Sequence, residues 1–376
     1  MPCYVRTAMT LLYEATSGHV SMVPAMDRSL SRNKDGRTND AETGHQTMTG
    51  TNRFIVVTTI NPPSRAIEAY ASLRDWQLVV VGDRSTPSSW QCRGAIYLSP
   101  SDQKKLGLRV AKLTPWNHYC RKMIGYLYAM SQGAVLIADT DDDNIPLANW
   151  GCLPFEGEFP TVFGEGFKNI YKFFTDEFVW PRGYPLQHLL ADRSTDELRT
   201  ARSKVGVWQF LANGDPDVDA IYRMVFGKRI NFRQNPAIVL GENLVSPFNS
   251  QNTFFTKEMF PLLYLPGYVS FRFTDILRSL VAQPIMWNCG CRLGFGPPTV
   301  RQERNPHDHL KDFESEIPVY LYSEKIVDSL REAIKRRVSI EDSIMIAYRV
   351  LLRNGIVKKQ EIGLLKAWIE DLRDLS

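Results

Sequence analysis

Residues 135–146 read Val-Leu-Ile-Ala-Asp-Thr-Asp-Asp-Asp-Asn-Ile-Pro, a short apolar run that feeds straight into Asp139, Asp141, Asp142 and Asp143. An apolar run of this length, bounded by turn residues, is the mark of a strand buried on both faces. Carboxylates crowded at its end repel one another, and a hard divalent cation with oxygen ligands is the usual relief. Open α/β sheets bind their ligands outside the carboxyl ends of the strands, where these acids fall. The stretch therefore points to an α/β chain with a metal-dependent site for something carrying phosphates.

The neighbouring elements agree. Phe54 to Ile60 is a β-branched run stopped by Asn61-Pro62-Pro63. Ser64 is placed to cap a helix in which Ile67, Tyr70, Ala71 and Arg74 keep helical spacing. Gln77 to Gly82 reads as a second buried strand ending in Asp83, Ala95 to Leu98 as a short third, and Ala134 to Ala138 as the strand carrying the acids. Pro115 to Met130 reads as a helix, with Tyr119, Met123, Ile124, Leu127 and Tyr128 on one face. This alternation predicts a mostly parallel sheet with helices on both faces. Beyond Asp143 the pattern breaks into short aromatic segments with turns at Pro160, Pro181, Gly183, Pro185 and Gly214, and from Ser323 onward two or three amphipathic helices are expected.

Composition narrows the function classes. A net charge of +4 spread over 376 residues, with no basic run, argues against nucleic acid as a partner. The six cysteines, at 3, 92, 120, 152, 289 and 291, are scattered, which favours reduced thiols and a cytoplasmic location. No apolar stretch approaches the ~20 residues of a transmembrane segment. Residues 24–52 are polar and nearly lack aliphatics, so residues 1–50 read as a disordered extension, or as the product of a start codon placed too far upstream.

The acids need partners. A helix running down the sheet into their strand brings its own start near the strand's end, with Asn117, Arg121 and Lys122 in reach, and a helix N-terminus with two cations suits a diphosphate. Asp83, with Thr58, Thr59, Ile60 and Asn61, would form a nucleoside pocket on the same edge. Other acidic motifs fail. An EF-hand loop starting at Asp139 would need Gly where Asn144 stands and Glu where Trp150 stands. The Asp-x-Asp of haloacid dehalogenase-type phosphatases belongs to a first strand, whereas this is about the fourth. No Walker loop, nucleophile elbow or Gly-x-Gly-x-x-Gly occurs.

Several motifs then occur in order: Val56-Val57-Thr58-Thr59-Ile60, Arg121-Lys122-x-x-Gly125-Tyr126, Asp139-Thr140-Asp141-Asp142-Asp143, Arg182-Gly183-Tyr184-Pro185, Gly206-Val207-Trp208-Gln209 and Phe271-Arg272-Phe273-Thr274-Asp275-Ile276, followed by Pro297-Pro298-Thr299-Val300 and Arg304-Asn305-Pro306-His307. The series, over about residues 52–315, resembles the STELLO family of glycosyltransferase-like proteins. It is more distantly similar to the reversibly glycosylated polypeptides, which include UDP-arabinopyranose mutases.

The resemblance implies a GT-A-like, Rossmann-type domain at 51–315, a helical extension at 316–376, and a metal-dependent glycosyltransferase with a nucleotide-sugar donor, by family a UDP-sugar, acting in glycan or polysaccharide synthesis. Mn²⁺ or Mg²⁺ would sit on Asp141 or Asp143 with the late His307, which His309 closely follows; Asp139 would lie nearer the ribose and Trp208 at the nucleotide sugar. Asp275 matches an acceptor-side acid, and Arg182 matches an arginine beside the sugar diphosphate. A companion arginine of the reversibly glycosylated polypeptides is replaced by His188, which counts against the alternative of a pyranose/furanose mutase. Asp215, Asp217 and Asp219 either line the sugar pocket or form an acidic surface loop. A non-catalytic scaffold for polysaccharide synthesis is the remaining alternative. The plant STELLO proteins carry a membrane anchor and act in the Golgi; lacking a membrane-spanning segment, this sequence does not inherit that setting. The acceptor, whether glycan, protein or small molecule, is left open.

Overall fold

The computed structural model describes residues 52–190, 197–303, 308–334 and 338–375. The expected extension at 1–50 and the expected metal ligand His307 lie outside the described residues. Twelve strands are found among those described: β1 (Arg53–Thr59), β2 (Gln77–Gly82), β3 (Ala95–Leu98), β4 (Leu136–Thr140), β5 (Asn144–Pro146), β6 (Glu156–Phe163), β7 (Gly166–Phe167), β8 (Glu197–Asn213), β9 (Ile238–Leu240), β10 (Leu244–Val245), β11 (Asn252–Thr256) and β12 (Cys291–Gln302).

Ten of them form one sheet, ordered β3-β2-β1-β4-β11-β8-β6-β9-β12-β5. The first four are parallel, as the strand–helix alternation predicts. Their β-branched residues are buried on both faces, because the helix Lys122–Ser131 covers one side and the helix Arg65–Ala71, with an aromatic layer around Trp76, Trp150 and Phe254, covers the other. β11 then enters antiparallel to β4, pairing Asn252 with Thr140, and the rest of the sheet is mixed. Within it β8, β6, β9 and β12 close a circuit, since β8 also pairs with β12.

The sequence reading of this second half as short aromatic segments is corrected by β8 and β12, which are the sheet's longest strands. β12 contains Gly294, Gly296, Pro297 and Pro298, residues that weaken any strand reading, and the last three fall at register shifts where the ladder is irregular.

The helix expected over Pro115–Met130 begins at Lys122, behind a 3₁₀ turn at Tyr119–Arg121. Asn117 interrupts it by adopting φ 55°, a conformation Asn tolerates better than most residues. Gly125 lets the helix Lys122–Ser131 lie close on the sheet: a Cβ there would come within 2.6 Å of Val56 and 2.7 Å of Val81. That approach fixes the helix start beside the end of β4. The C-terminal helices span His309–Ala333, Ile340–Arg353 and Lys359–Asp374, so the first begins well before the expected Ser323 and runs unbroken through residue 316. Residues Thr49–Ser376 form one compact unit. No helix among the described residues is long and apolar enough to cross a membrane.

Candidate functional site

A cavity of about 390 Å³ opens at the carboxyl ends of β1, β2 and β4. Its walls bring together Thr58, Thr59, Asn61, Asp83, Asn117, Arg121, Asp141, Asp143, Arg182 and Asp275 of the residues singled out from sequence. On the β1–β2 side, Asp83 accepts from the backbone N–H of Asn117 at 2.8 Å, which holds the strained Asn117 turn against the strand end. Thr59 Oγ1 and Asn61 Nδ2 donate to Asp142 Oδ2 at 2.5 and 3.2 Å, drawing that acid toward β1.

The acids of β4 divide by depth. Asp139 is fully buried and does not line the cavity, so the expectation that it lies nearer a ribose is corrected. Its Oδ1 accepts from Lys122 Nζ at 2.9 Å and its Oδ2 from Arg278 Nη1 at 2.7 Å. Lys122 is corrected with it: its ammonium is sealed between Asp139, the Thr140 carbonyl and Asp141 Oδ1 and is not presented to a diphosphate. Burial works against the Lys122 ammonium, but Asp139 and Asp141 outweigh it and hold its pKa above that of an ordinary lysine. Asp141, with a 40 % exposed side chain, reaches the cavity. Desolvation pushes its carboxyl up to about 6, against the pull of Lys122. Asp143 also lines the cavity and accepts from Gln302 Nε2 at 3.1 Å.

Arg121 is buried yet forms part of the wall. It donates to Gln103 Oε1 and to Thr114, its guanidinium lies 3.5 Å over the Trp116 ring, and among the described residues no carboxylate pairs with it. Burial lowers its pKa to about 10, opposed by the negative charge of Asp83.

Across the cavity Arg182 makes two 2.8 Å bonds to Asp217 and reaches Asp275 at 2.9 Å. Those two acids overcome the cost of burial and hold its pKa well above the usual arginine value. Asp275 sits in the first turn of the helix Thr274–Asn288 and accepts five hydrogen bonds, from Tyr119, Ser250, Ile276 and, twice, Arg182. An ionised carboxylate has about four lone-pair positions, so Asp275 has little capacity left for a further proton.

Trp208 is the third correction. It lies on the opposite face of the sheet, in contact with Gly294 and edge-on to Phe159, with its Nε1 donating to the Pro154 carbonyl, and it does not line the cavity. The Asp215–Asp219 turn is split: Asp217 lines the cavity, Asp215 pairs with Arg223, and Asp219 caps the helix Ala220–Val225. His188 bonds Glu324 at 2.5 Å and is not part of the wall. His309 begins the helix His309–Ala333.

Sequence reasoning missed Asn249, Ser250, Gln251 and Gln302 in the wall, and Arg278 beneath it. Asn249–Gln251 arrive because β11 runs antiparallel to β4, which sets the start of one strand beside the end of the other. A polar Asn-Ser-Gln-Asn run before Phe254 is visible in the sequence, but nothing in a single sequence says which strand it faces.

The model of the STELLO glycosyltransferases matches residues 272–376, from the cavity-lining Arg272 through the last helix. Over 349 residues the chain is 27% identical to the probable glycosyltransferase STELLO1 of Arabidopsis thaliana, and 26% identical to STELLO2 of the same plant, covering 86% of this chain in each case. These matches bear out the STELLO resemblance read from the motifs. The chain spans less than half the length of these relatives, 44% and 45% respectively. Among solved structures, glucosyl-3-phosphoglycerate synthase of M. tuberculosis superposes over 73% of this chain and 81% of its own, at 9% identity and a TM-score of 0.34, too slight a likeness to carry an argument.

Proposed function

We propose that the chain is a metal-dependent glycosyltransferase that takes a nucleotide sugar, with UDP-sugar the favoured donor. The observation that carries the reading is the convergence on one cavity of a polar strand-end rim, the β4 acids and the Arg182–Asp275 wall. The nucleoside would lie along Thr58, Thr59, Asn61 and Asp83, the diphosphate by Asp141 and Asp143, and the sugar toward Arg182.

The donor set fits a hard cation. Asp141 and Asp143 both line the cavity, whereas among the described residues no three His, Cys, Asp or Glu side chains form a complete metal cage. That suits Mg²⁺ or Mn²⁺ held by one or two carboxylates together with substrate phosphates and water. Bound there, the ion would neutralise charge developing on the leaving nucleoside diphosphate.

The chain's own residues supply the rest. Lys122 fixes Asp141 from below, and Arg121 adds a cation without a carboxylate partner to the potential felt by an anion in the cavity. Arg182 orients the sugar end. In transfer an acceptor hydroxyl oxygen bonds to the anomeric carbon as the bond to the diphosphate breaks, and the hydroxyl proton leaves to a base. Asp275 faces the right space for that base in an inverting reaction, but its crowded lone pairs favour a first duty of holding Arg182. His188, engaged with Glu324 away from the wall, gives no support to a mutase.

Titration of the purified protein with UDP-sugars and Mn²⁺ tests the reading. Metal-dependent binding, followed by release of UDP when acceptor is added, is the expected result. A folded protein that binds no nucleotide sugar would remove it.

A further inference from the structure

One part of the cavity wall is apolar and has no task in holding a nucleotide or a metal. Phe271 is 50% exposed although it belongs to a firmly held turn. On one side of it Ser270 Oγ donates to the Ser315 carbonyl at 2.6 Å. On the other, the Arg272 N–H donates to Ser315 Oγ at 3.0 Å, and Arg272 Nε to Glu316 Oε1 at 2.9 Å. The helix His309–Ala333 thus fixes the turn and leaves the ring half in water, forfeiting part of the stabilisation that full burial of a Phe gives.

Phe271 does not stand alone. Its ring meets Tyr119 edge-on at 4.7 Å and His118 at 5.3 Å, and His118 stacks parallel to Tyr119. All three line the cavity. His118 Nδ1 accepts from the Cys120 N–H, which assigns the proton of the neutral ring to Nε2. That Nε2 is buried and has no hydrogen-bond partner among the described residues, an unsatisfied donor that a ligand oxygen or a bound water would relieve. Beside this aromatic surface stand Asp217 and Arg182, planar polar groups of the kind that bind vicinal hydroxyls, while Asp275, its lone pairs taken, holds Arg182 in place.

An aromatic face next to a fixed carboxylate and a guanidinium matches a ligand with an apolar C–H face and a rim of hydroxyls. We infer that Phe271, backed by Tyr119 and His118, is the platform of an acceptor subsite, and that the acceptor it takes is a saccharide whose ring lies on the Phe271 face. The inference rests on the glycosyltransferase reading and deepens it by naming the acceptor class. A peptide or a lipid acceptor could use the ring but would leave the hydroxyl-binding groups unmatched.

The test uses the full chain saturated with UDP and diamagnetic Mg²⁺ and reads saturation-transfer NMR from cellobiose, maltose, xylobiose and lactose. Sorbitol, rich in hydroxyls but without a ring, is the control. At least one disaccharide should give a signal and sorbitol none. The signal should persist in Phe271→Trp and fall roughly tenfold in affinity in Phe271→Ala, whose UDP binding stays at the wild-type level. The subsite is overturned if no disaccharide binds the UDP-loaded protein, if sorbitol binds as well as they do, or if Phe271→Ala binds them unchanged. Failure of UDP itself to bind the wild-type chain would overturn the glycosyltransferase reading, and the subsite with it.

Discussion

Two buried clusters flank the cavity, each built from cations bridging aspartates, yet they do different work. Beneath the end of β4, Lys122 and Arg278 bracket Asp139, and all three side chains are sealed from solvent. Across the cavity, Arg182 bridges Asp217 and Asp275, and all three stand in the wall. The first cluster has no surface to offer a ligand. Its two cations outnumber its one carboxylate, and the remaining positive charge is balanced by Asp141 through Lys122, so it acts as a support that sets where Asp141 sits. The second is held as firmly but keeps one side open. Burial and ion pairing alone therefore do not mark a binding residue. What separates the two is which cluster borders empty space.

Removing the centre of the sealed cluster should have the largest effect. Asp139→Ala leaves Arg278 buried without its carboxylate and Lys122 with Asp141 alone, and a loss of roughly 3–5 kcal/mol is expected in chemical denaturation. A loss under about 1 kcal/mol would mean that the cluster is not the support described. Asp141→Ala should do the reverse. Its side chain is partly exposed, so stability should change little, while metal-dependent transfer should drop by about 10²-fold or more in kcat/KM. Equal activity in that variant would detach the acids from the chemistry.

Arg182→Lys keeps the charge but loses the bidentate bond to Asp217. We expect roughly tenfold lower kcat with a loss of stability smaller than that of Asp139→Ala; a loss as large would make this cluster another support.

The aromatic edge between the two regions adds a pH signature. Burial pushes the His118 imidazole down to about 4 in the folded chain, against an ordinary value near 6.5. Its contribution is therefore fully present above pH ~6.5 and is lost as pH falls toward about 4, where the unfolded chain gains a proton that the folded one resists. His118→Gln should flatten that part of the stability profile relative to wild type, and superimposable profiles would contradict it. The smallest effect belongs to an exposed pair of the same chemistry. Lys105→Ala, which breaks the surface contact with Asp102, should cost less than about 0.5 kcal/mol in the same denaturation assay.

Much of the fold was legible. The parallel strands β1 to β4 appeared because they are continuous β-branched runs closed by turn residues, signals that lie within a few residues of each other. The antiparallel half did not, because β12 is interrupted by Gly and Pro and the outer half of β8 is polar and exposed. For the site, most of the strand-end residues read from sequence do converge. Lys122, Asp139 and Trp208 do not, for a common reason: each lies next to a cavity-lining or motif residue in sequence, while its side chain projects into packed interior.

The sequence by itself determined that an apolar strand would end in a group of aspartates, and that these would meet polar strand ends and a basic helix start in an α/β setting. Strand periodicity and charge crowding act over a handful of residues and need no knowledge of the rest of the chain. Only the tertiary structure decided which aspartate faces the cavity and which is locked to Lys122 and Arg278. It also brought Arg182, Asn249–Gln251 and Phe271 to the opposite wall. Those outcomes depend on strands pairing across more than a hundred residues, as Thr140 does with Asn252, and on which side of each backbone then meets empty space. No local signal in the chain encodes that choice.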